Sequence, residues 1–208
     1  MSATEVTAVA APAPLPLPEH SSGPRAFGWW GMVWLIATES MLFAALIASY
    51  FFIRFKSGPV WPPDGLALPS LELPLVMSAI LWSSSIPVHM AERAIKRGNQ
   101  RGLRRGLAVG FVLGAAFISL QAVEYAEKLA EFTATTNAYG SLFFIITGFH
   151  GLHVIVGLLF SVWTQIRARR GHFDENRHLT VQNFTMYWHF VDAVWVFVLA
   201  AIYISPNV

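Results

Sequence analysis

The chain has 208 residues, enough for one domain of ordinary size. Hydrophobic residues make up 55% and charged residues only 12%, against roughly 25% charged in globular proteins, so the composition belongs to the membrane class, and a net charge of +2 names no partner. The absence of cysteine excludes disulfides, thiolate-held zinc, iron–sulfur clusters and C-x-x-C-H haem attachment, leaving His, Asp, Glu and Met as possible metal ligands.

Residues 1–26 come first. They lack the basic start and continuous apolar core of a secretory signal, and "APAPLPLPEHSSGP" is broken by prolines. The expectation is a mobile, partly extended cytoplasmic tail, followed by a membrane domain over residues 27–208. A helix crosses a bilayer with about 20 apolar residues. Five segments qualify: Phe27–Ile53, Leu73–Ala91, Leu103–Tyr125, Tyr139–Gln165 and Gln182–Ile204. The second holds Pro74, tolerated in a first turn, and Pro87, which is expected to kink it. The two-residue alternation of barrel strands is missing. The predicted fold is therefore all-α, a polytopic bundle of five transmembrane helices.

The basic residues set an expected orientation. Arg93, Lys96, Arg97, Arg101, Arg104 and Arg105 lie between spans two and three. Arg167, Arg169, Arg170 and Arg177 lie between spans four and five, and Arg25 precedes span one. Only Arg54, Lys56 and Lys128 fall on the opposite side. Positive residues stay inside, so the N-terminus is placed in the cytoplasm and the C-terminus outside. The arginine loops serve topology, lipid phosphate, or both. No folded basic domain presents them to nucleic acid.

Ionisable residues inside spans are functional candidates. They are Glu39 in the first, Glu124 in the third, His150 and His153 in the fourth, and His189 and Asp192 in the fifth; His89 and Glu92 lie near the inner end of the second. At ~1.5 Å per residue, His189 and Asp192 sit roughly 9 and 14 Å from the inner end of their span. His150 and His153 sit roughly 16 and 21 Å from the outer end of theirs, and Glu39 about 18 Å from its inner end. His150 is thus level with Asp192, and His153 with His189, while Glu124 lies near the outer surface. The i,i+3 spacing puts each pair on one helix face. The two faces are expected to meet, with His150 bonded to Asp192.

Three readings of this cluster stand: a polar brace between helices, a metal site, and a proton-handling or lipid-contacting role, the last chiefly for Glu39. Gly110-x-x-x-Gly114 fits close helix packing. Trp29, Trp30, Trp61, Tyr139, Tyr187 and Trp188 lie near span ends and fit interfacial belts.

The stretches "ATESMLFAALIASYFF", "WPPDG", "LQAVEY", "AYGSLFFIITGFHGLHVIVG" and "YWHFVDAVWVFVLAAIYI" follow one another over residues 27–204. In this the chain resembles the cytochrome c oxidase subunit III family of the haem–copper oxidases. It is similar to the short five-helix bacterial form, starting at what corresponds to the third of seven helices. The resemblance implies a non-catalytic subunit of a proton-pumping oxidase of aerobic electron transport, in the bacterial inner (plasma) membrane. It implies no redox centre in this chain, with haem and copper in partner subunits. Subunit I is implied as direct partner, with subunit II and other respiratory subunits nearby, and phospholipid as the bound ligand. Glu39 matches the family's buried carboxyl, with Thr38 where the family pattern has serine before it. Arg167 matches a lipid-phosphate arginine. His150, His153, His189, Asp192 and Glu124 match polar positions that brace the bundle. The equivalent subunit of a quinol oxidase, an accessory subunit of nitric oxide reductase, and an independent membrane metalloenzyme are the alternatives.

Overall fold

Backbone groups in lipid must bond internally, which long helices do. The computed structural model describes residues 23–24, 26–58, 61–63, 66 and 68–207. Residues 1–22, most of the Pro-rich tail, and Arg25 lie outside the described residues. Among the described residues there are five long helices and no strand: α1 (Phe27–Lys56), α2 (Glu72–Ile95), α3 (Gln100–Glu131), α4 (Ala138–Arg169) and α5 (Leu179–Val198). Each is long and apolar enough to cross a membrane. The chain is a multi-pass membrane protein.

Most helices run past the apolar segments. α3 continues six residues beyond Tyr125 to Glu131, and α4 four beyond Gln165 to Arg169. Apolar counting finds the part in hydrocarbon, whereas a helix continues into the headgroup layer on its own hydrogen bonds. There, pairs such as Lys128–Glu131 at 2.9 Å add surface support.

The ends have local causes. Asn99 caps α3 by accepting from the Gly102 amide at 2.9 Å, and Asn137 caps α4 by accepting from Gly140 at 2.8 Å. α2 ends at Ile95, and in the turn that follows Gly98, with φ of +70°, lets the amide of Asn99 reach back to the Ala94 carbonyl at 2.9 Å. α2 itself runs unbroken through Pro87.

Helices α2 and α3 form the closest pair, and three of the four glycines spaced along α3 explain it. Gly102, Gly106, Gly110 and Gly114 recur every fourth residue along α3. A Cβ on the first three would lie 2.7 Å from Ala94 Cβ, 2.5 Å from the Pro87 carbonyl oxygen and 2.6 Å from Val88 Cγ2. Small residues let two backbones approach this closely in lipid, where dispersion rather than water exclusion drives association. The pair Gly110/Gly114 is thus the end of a longer stripe.

Helix α5 occupies the centre. Trp188 is fully buried between Gly114 of α3 and Gly157 of α4, where added Cβ atoms would lie 2.6 and 2.8 Å from its ring. Its indole N–H donates to Ser84 Oγ of α2 at 2.8 Å. Two turns on, Trp195 donates to Ser78 Oγ at 2.7 Å and meets Phe117 edge-on at 4.9 Å. Beyond Val198 the helix widens to π geometry over Leu199–Ile204, which turns Tyr203 into the core. The belt expectation therefore fails for Trp61, Tyr139, Tyr187 and Trp188, all buried. Three of them find protein partners for their polar atoms: Trp61 Nε1 donates to Tyr50 Oη at 2.9 Å, Tyr187 Oη to the His153 carbonyl at 3.0 Å and Trp188 Nε1 to Ser84 Oγ. Trp30 alone of the two N-terminal tryptophans is clearly exposed.

Hydrogen bonds from side chains fasten both ends. Arg104 Nη2 donates to the Ala168 carbonyl at 3.1 Å, Gln100 Nε2 to Phe173 at 2.5 Å, and Asn183 Nδ2 to Gly28 at 3.0 Å. These tie the start of α1, the start of α3, the end of α4 and the start of α5 together, so both arginine-bearing loops share one end. At the other end Arg54 donates to Ser205, and Asn207 Nδ2 to the Pro69 carbonyl at 3.2 Å.

Candidate functional site

The polar groups within the spans separate into three small sites. The first joins α1 to α4. His153 Nε2 lies 3.2 Å from Glu39 Oε2. Its other ring nitrogen, Nδ1, lies 2.7 Å from the Phe149 carbonyl, which only accepts. Nδ1 therefore carries a proton. The contact between Nε2 and Oε2 then holds one further proton, on the imidazole or on the carboxyl. Phe43 packs edge-on to the His153 ring at 5.0 Å, and Tyr187 donates to the His153 carbonyl at 3.0 Å. Glu39 remains about one-third exposed, so the pair is partly open at the outer face of the bundle.

The second site joins α2 to α5. Ser85 Oγ lies 3.1 Å from His189 Nδ1 and donates to Asp192 Oδ2. Asp192 Oδ1 is enclosed without a partner. The His89 ring lies 6.2 Å from that of His189.

The third joins α3 to α5 and α4 near the other end. Tyr203 donates to Glu124 Oε2 at 3.0 Å, both groups buried. One turn back on α3, Gln121 Nε2 donates to the Thr147 carbonyl at 2.8 Å, and Tyr125 Oη bonds Thr147 Oγ1 at 2.7 Å.

The expected bond between His150 and Asp192 is not formed. His150 Nε2 instead donates to the Val191 carbonyl at 3.2 Å, its ring enclosed by Trp195 and Phe117 at 4.9 and 5.7 Å. The level was right, because residue 191 adjoins Asp192; the rotation was not. Residues three apart on a helix differ by about 60° around its axis. That is enough to send His150 into the core and His153 toward α1, and likewise to turn His189 and Asp192 onto α2 rather than α4. His153 and His189 do not meet either.

Sequence reasoning missed the serines. Ser78, Ser84 and Ser85 on α2 serve Trp195, Trp188 and the His189/Asp192 pair. The signal was present in the matching steps of six or seven residues on the two helices. A hydroxyl, however, also satisfies itself on its own helix, as Ser78 does on Pro74 and Ser84 on Leu81.

Arg167 sits near the end of α4, half-buried, with its guanidinium 5.5 Å from the Phe173 ring centroid. A small cleft there is lined by Arg167, His172, Phe173, Arg177, Leu179 and Thr180. The Asp174 carboxyl, in the same loop, accepts from the backbone amides of Arg177 and Asn176 at 2.7 and 2.8 Å, which hold it below the ordinary carboxylate range. A separate apolar groove of about 430 Å³ runs between α1 and α5, lined by Phe43, Ile47, Phe51, Phe190 and Phe197 among others.

Among the described residues, no three of His, Asp and Glu converge as a metal ion would require. The polar groups are taken up in twos, each spanning a different helix pair.

The family description "Cytochrome c oxidase subunit III" matches residues 20–206. The chain is 37% identical over 179 residues to cytochrome c oxidase subunit 3 of Ornithorhynchus anatinus, covering 84% of this chain and 68% of that protein. The same protein of Anopheles gambiae is 38% identical, and that of Latimeria chalumnae 37%, over the same shares. Five membrane-spanning helices braced by paired polar groups, and a match along nearly all the described length, place the chain in the cytochrome c oxidase subunit III family, the haem–copper oxidase subunit without a redox centre of its own.

Proposed function

We propose that this chain is subunit III of a proton-pumping cytochrome c oxidase in a bacterial plasma membrane, where it flanks subunit I, holds phospholipid and sustains proton uptake. Haem and copper reside in the partner subunits I and II. The residues before position 27 form a cytoplasmic tail, the remainder one five-helix domain, and the arginine-rich end faces the cytoplasm.

The observation that carries this reading is the Glu39–His153 pair. A carboxyl and an imidazole 3.2 Å apart share one proton and remain partly open at the bundle surface. Such a pair takes up and returns a proton without binding a metal or a substrate. Arg167, held against Phe173, offers its guanidinium to a lipid phosphate, which it can bind in bidentate fashion. The apolar α1–α5 groove offers space to an acyl chain. His150, His189, Asp192 and Glu124 brace the bundle.

The test is Glu39→Gln in the complete oxidase. Glutamine fills the same space and still accepts from His153, but it cannot take up a proton. The expected result is normal assembly and haem content, with activity that declines faster over successive turnovers. Kinetics unchanged over many turnovers would remove Glu39 from proton handling. The electron donor is read from the same preparation, by offering reduced cytochrome c or quinol.

A further inference from the structure

The outward surfaces of the bundle differ at membrane depth. Along α3 and α4 the exposed side chains there are mostly apolar, among them Val112, Leu152 and Leu159, and the exposed Ser119 hydroxyl is taken up by the Ala115 carbonyl of its own helix. Along the seam between α2 and α5 they are not. His189 and His89 are both exposed, and Ser85 and Asp192 are partly so.

These groups lie deep. His189 and Asp192 are ten and thirteen residues beyond Leu179, roughly 15 and 20 Å of helix, with a comparable length still to run. Ser85 lies ten residues before Ile95, roughly 15 Å from that end of α2. Against a hydrocarbon core about 30 Å thick, these positions fall within the apolar part of the spans rather than at their ends.

The hydrogen bonds fix what His189 still needs. The single Ser85 hydroxyl proton goes to Asp192 Oδ2, so the Ser85 oxygen accepts from His189 Nδ1–H. A neutral imidazole protonated on Nδ1 keeps a lone pair on Nε2. That nitrogen has no partner among the described residues. An unfilled acceptor facing acyl chains is costly, and ionisable groups in spans face protein or a water-filled cavity almost without exception.

We infer that the α2–α5 seam is the face on which another subunit of the same oxidase docks, through a transmembrane helix that presents a hydroxyl, amide or indole N–H donor level with His189. This rests on the reading of the chain as an oxidase subunit and specifies which of its faces is covered. Ile86 of α2 and Val196 of α5, exposed on either side of the polar groups, form the apolar margins of the contact.

Photo-crosslinking in the intact complex, in native membranes, tests the surface. A photoreactive residue at position 86 or 196 is expected to capture a second oxidase subunit, and one at position 159 on α4 to capture lipid. Lipid adducts alone from positions 86 and 196, or subunit capture from position 159 in their place, would overturn the assignment. A second arm uses His189→Phe and His189→Gln. Phenylalanine lacks the acceptor while glutamine restores one, so haem retained per chain should fall about fivefold or more in the first and recover in the second. Equal retention in both overturns the role of the acceptor. Haem in the unsubstituted preparation reports separately on the underlying reading: if no haem protein accompanies the unsubstituted chain, the oxidase reading fails, and this face with it.

Discussion

Helices α1 and α5 are drawn from similarly apolar sequence, yet one lies at the margin of the bundle and the other at its centre. α1 buries only Phe43 and Tyr50 of its 30 residues. α5 buries both of its tryptophans along with Phe184, Tyr187 and Phe190. In lipid, hydrophobicity decides that a helix crosses but not what it touches, because acyl chains are as apolar as leucine. Position is decided by fit and by hydrogen bonds. α5 has two indoles that need acceptors and two facing helices whose glycines make room for one of them.

Substitutions placed on both helices sharpen or break this contrast. Trp188→Ala is expected to have the largest effect, about 3–5 kcal/mol, since it empties the space between Gly114 and Gly157 and releases Ser84. The exposed Trp34→Ala in α1 should change stability by no more than about 0.5 kcal/mol. Reversible unfolding in mixed micelles would measure both, and similar losses would end the distinction.

Next comes the glycine stripe that supports α5 from behind. Gly106→Ala forces a Cβ to within 2.5 Å of the Pro87 carbonyl, backbone against backbone, so α2 and α3 must part. A loss of about 2–3 kcal/mol is expected by the same assay. Gly31→Ala in α1 meets nothing within 4 Å and should be neutral or slightly stabilising.

A smaller effect is expected where the π segment turns Tyr203 onto Glu124. Tyr203→Phe removes the donor to a buried carboxyl oxygen, at about 1–2 kcal/mol. Glu124→Gln in the same background should recover part of that loss, because an amide is less costly to bury than a carboxyl lacking its donor. Strictly additive effects of the two changes would show that the groups are not coupled.

The smallest change concerns how the chain enters α5. The amides of Arg177 and Asn176 lower the Asp174 pKa from its ordinary 3.8, so its contribution is present above that value and fades as pH falls below it. Asp174→Asn should lower the melting temperature slightly at neutral pH. The gap between variant and parent should close as the solution is taken below pH 4. A gap that persists in acid would mean that the turn does not depend on the carboxylate.

Several features were legible in the linear chain, and for one reason: they depend on local sums. The five spans, their start near Phe27 and the basic loops sharing one end follow from runs of apolar residues and from where charge interrupts them. The shared level of His150 and Asp192 also followed, because rise per residue is fixed. His150 does meet α5 beside Asp192, as depth alone required. Rotation about the helix axis was a different matter. It set His153 on Glu39 and Asp192 on Ser85, and it is fixed by how side chains of several helices interlock. Nor did the sequence reveal that Trp188 would leave the interface for the core. That depends on Gly114, Gly157 and Ser84 arriving together from three helices, a coincidence that exists only once the bundle has packed.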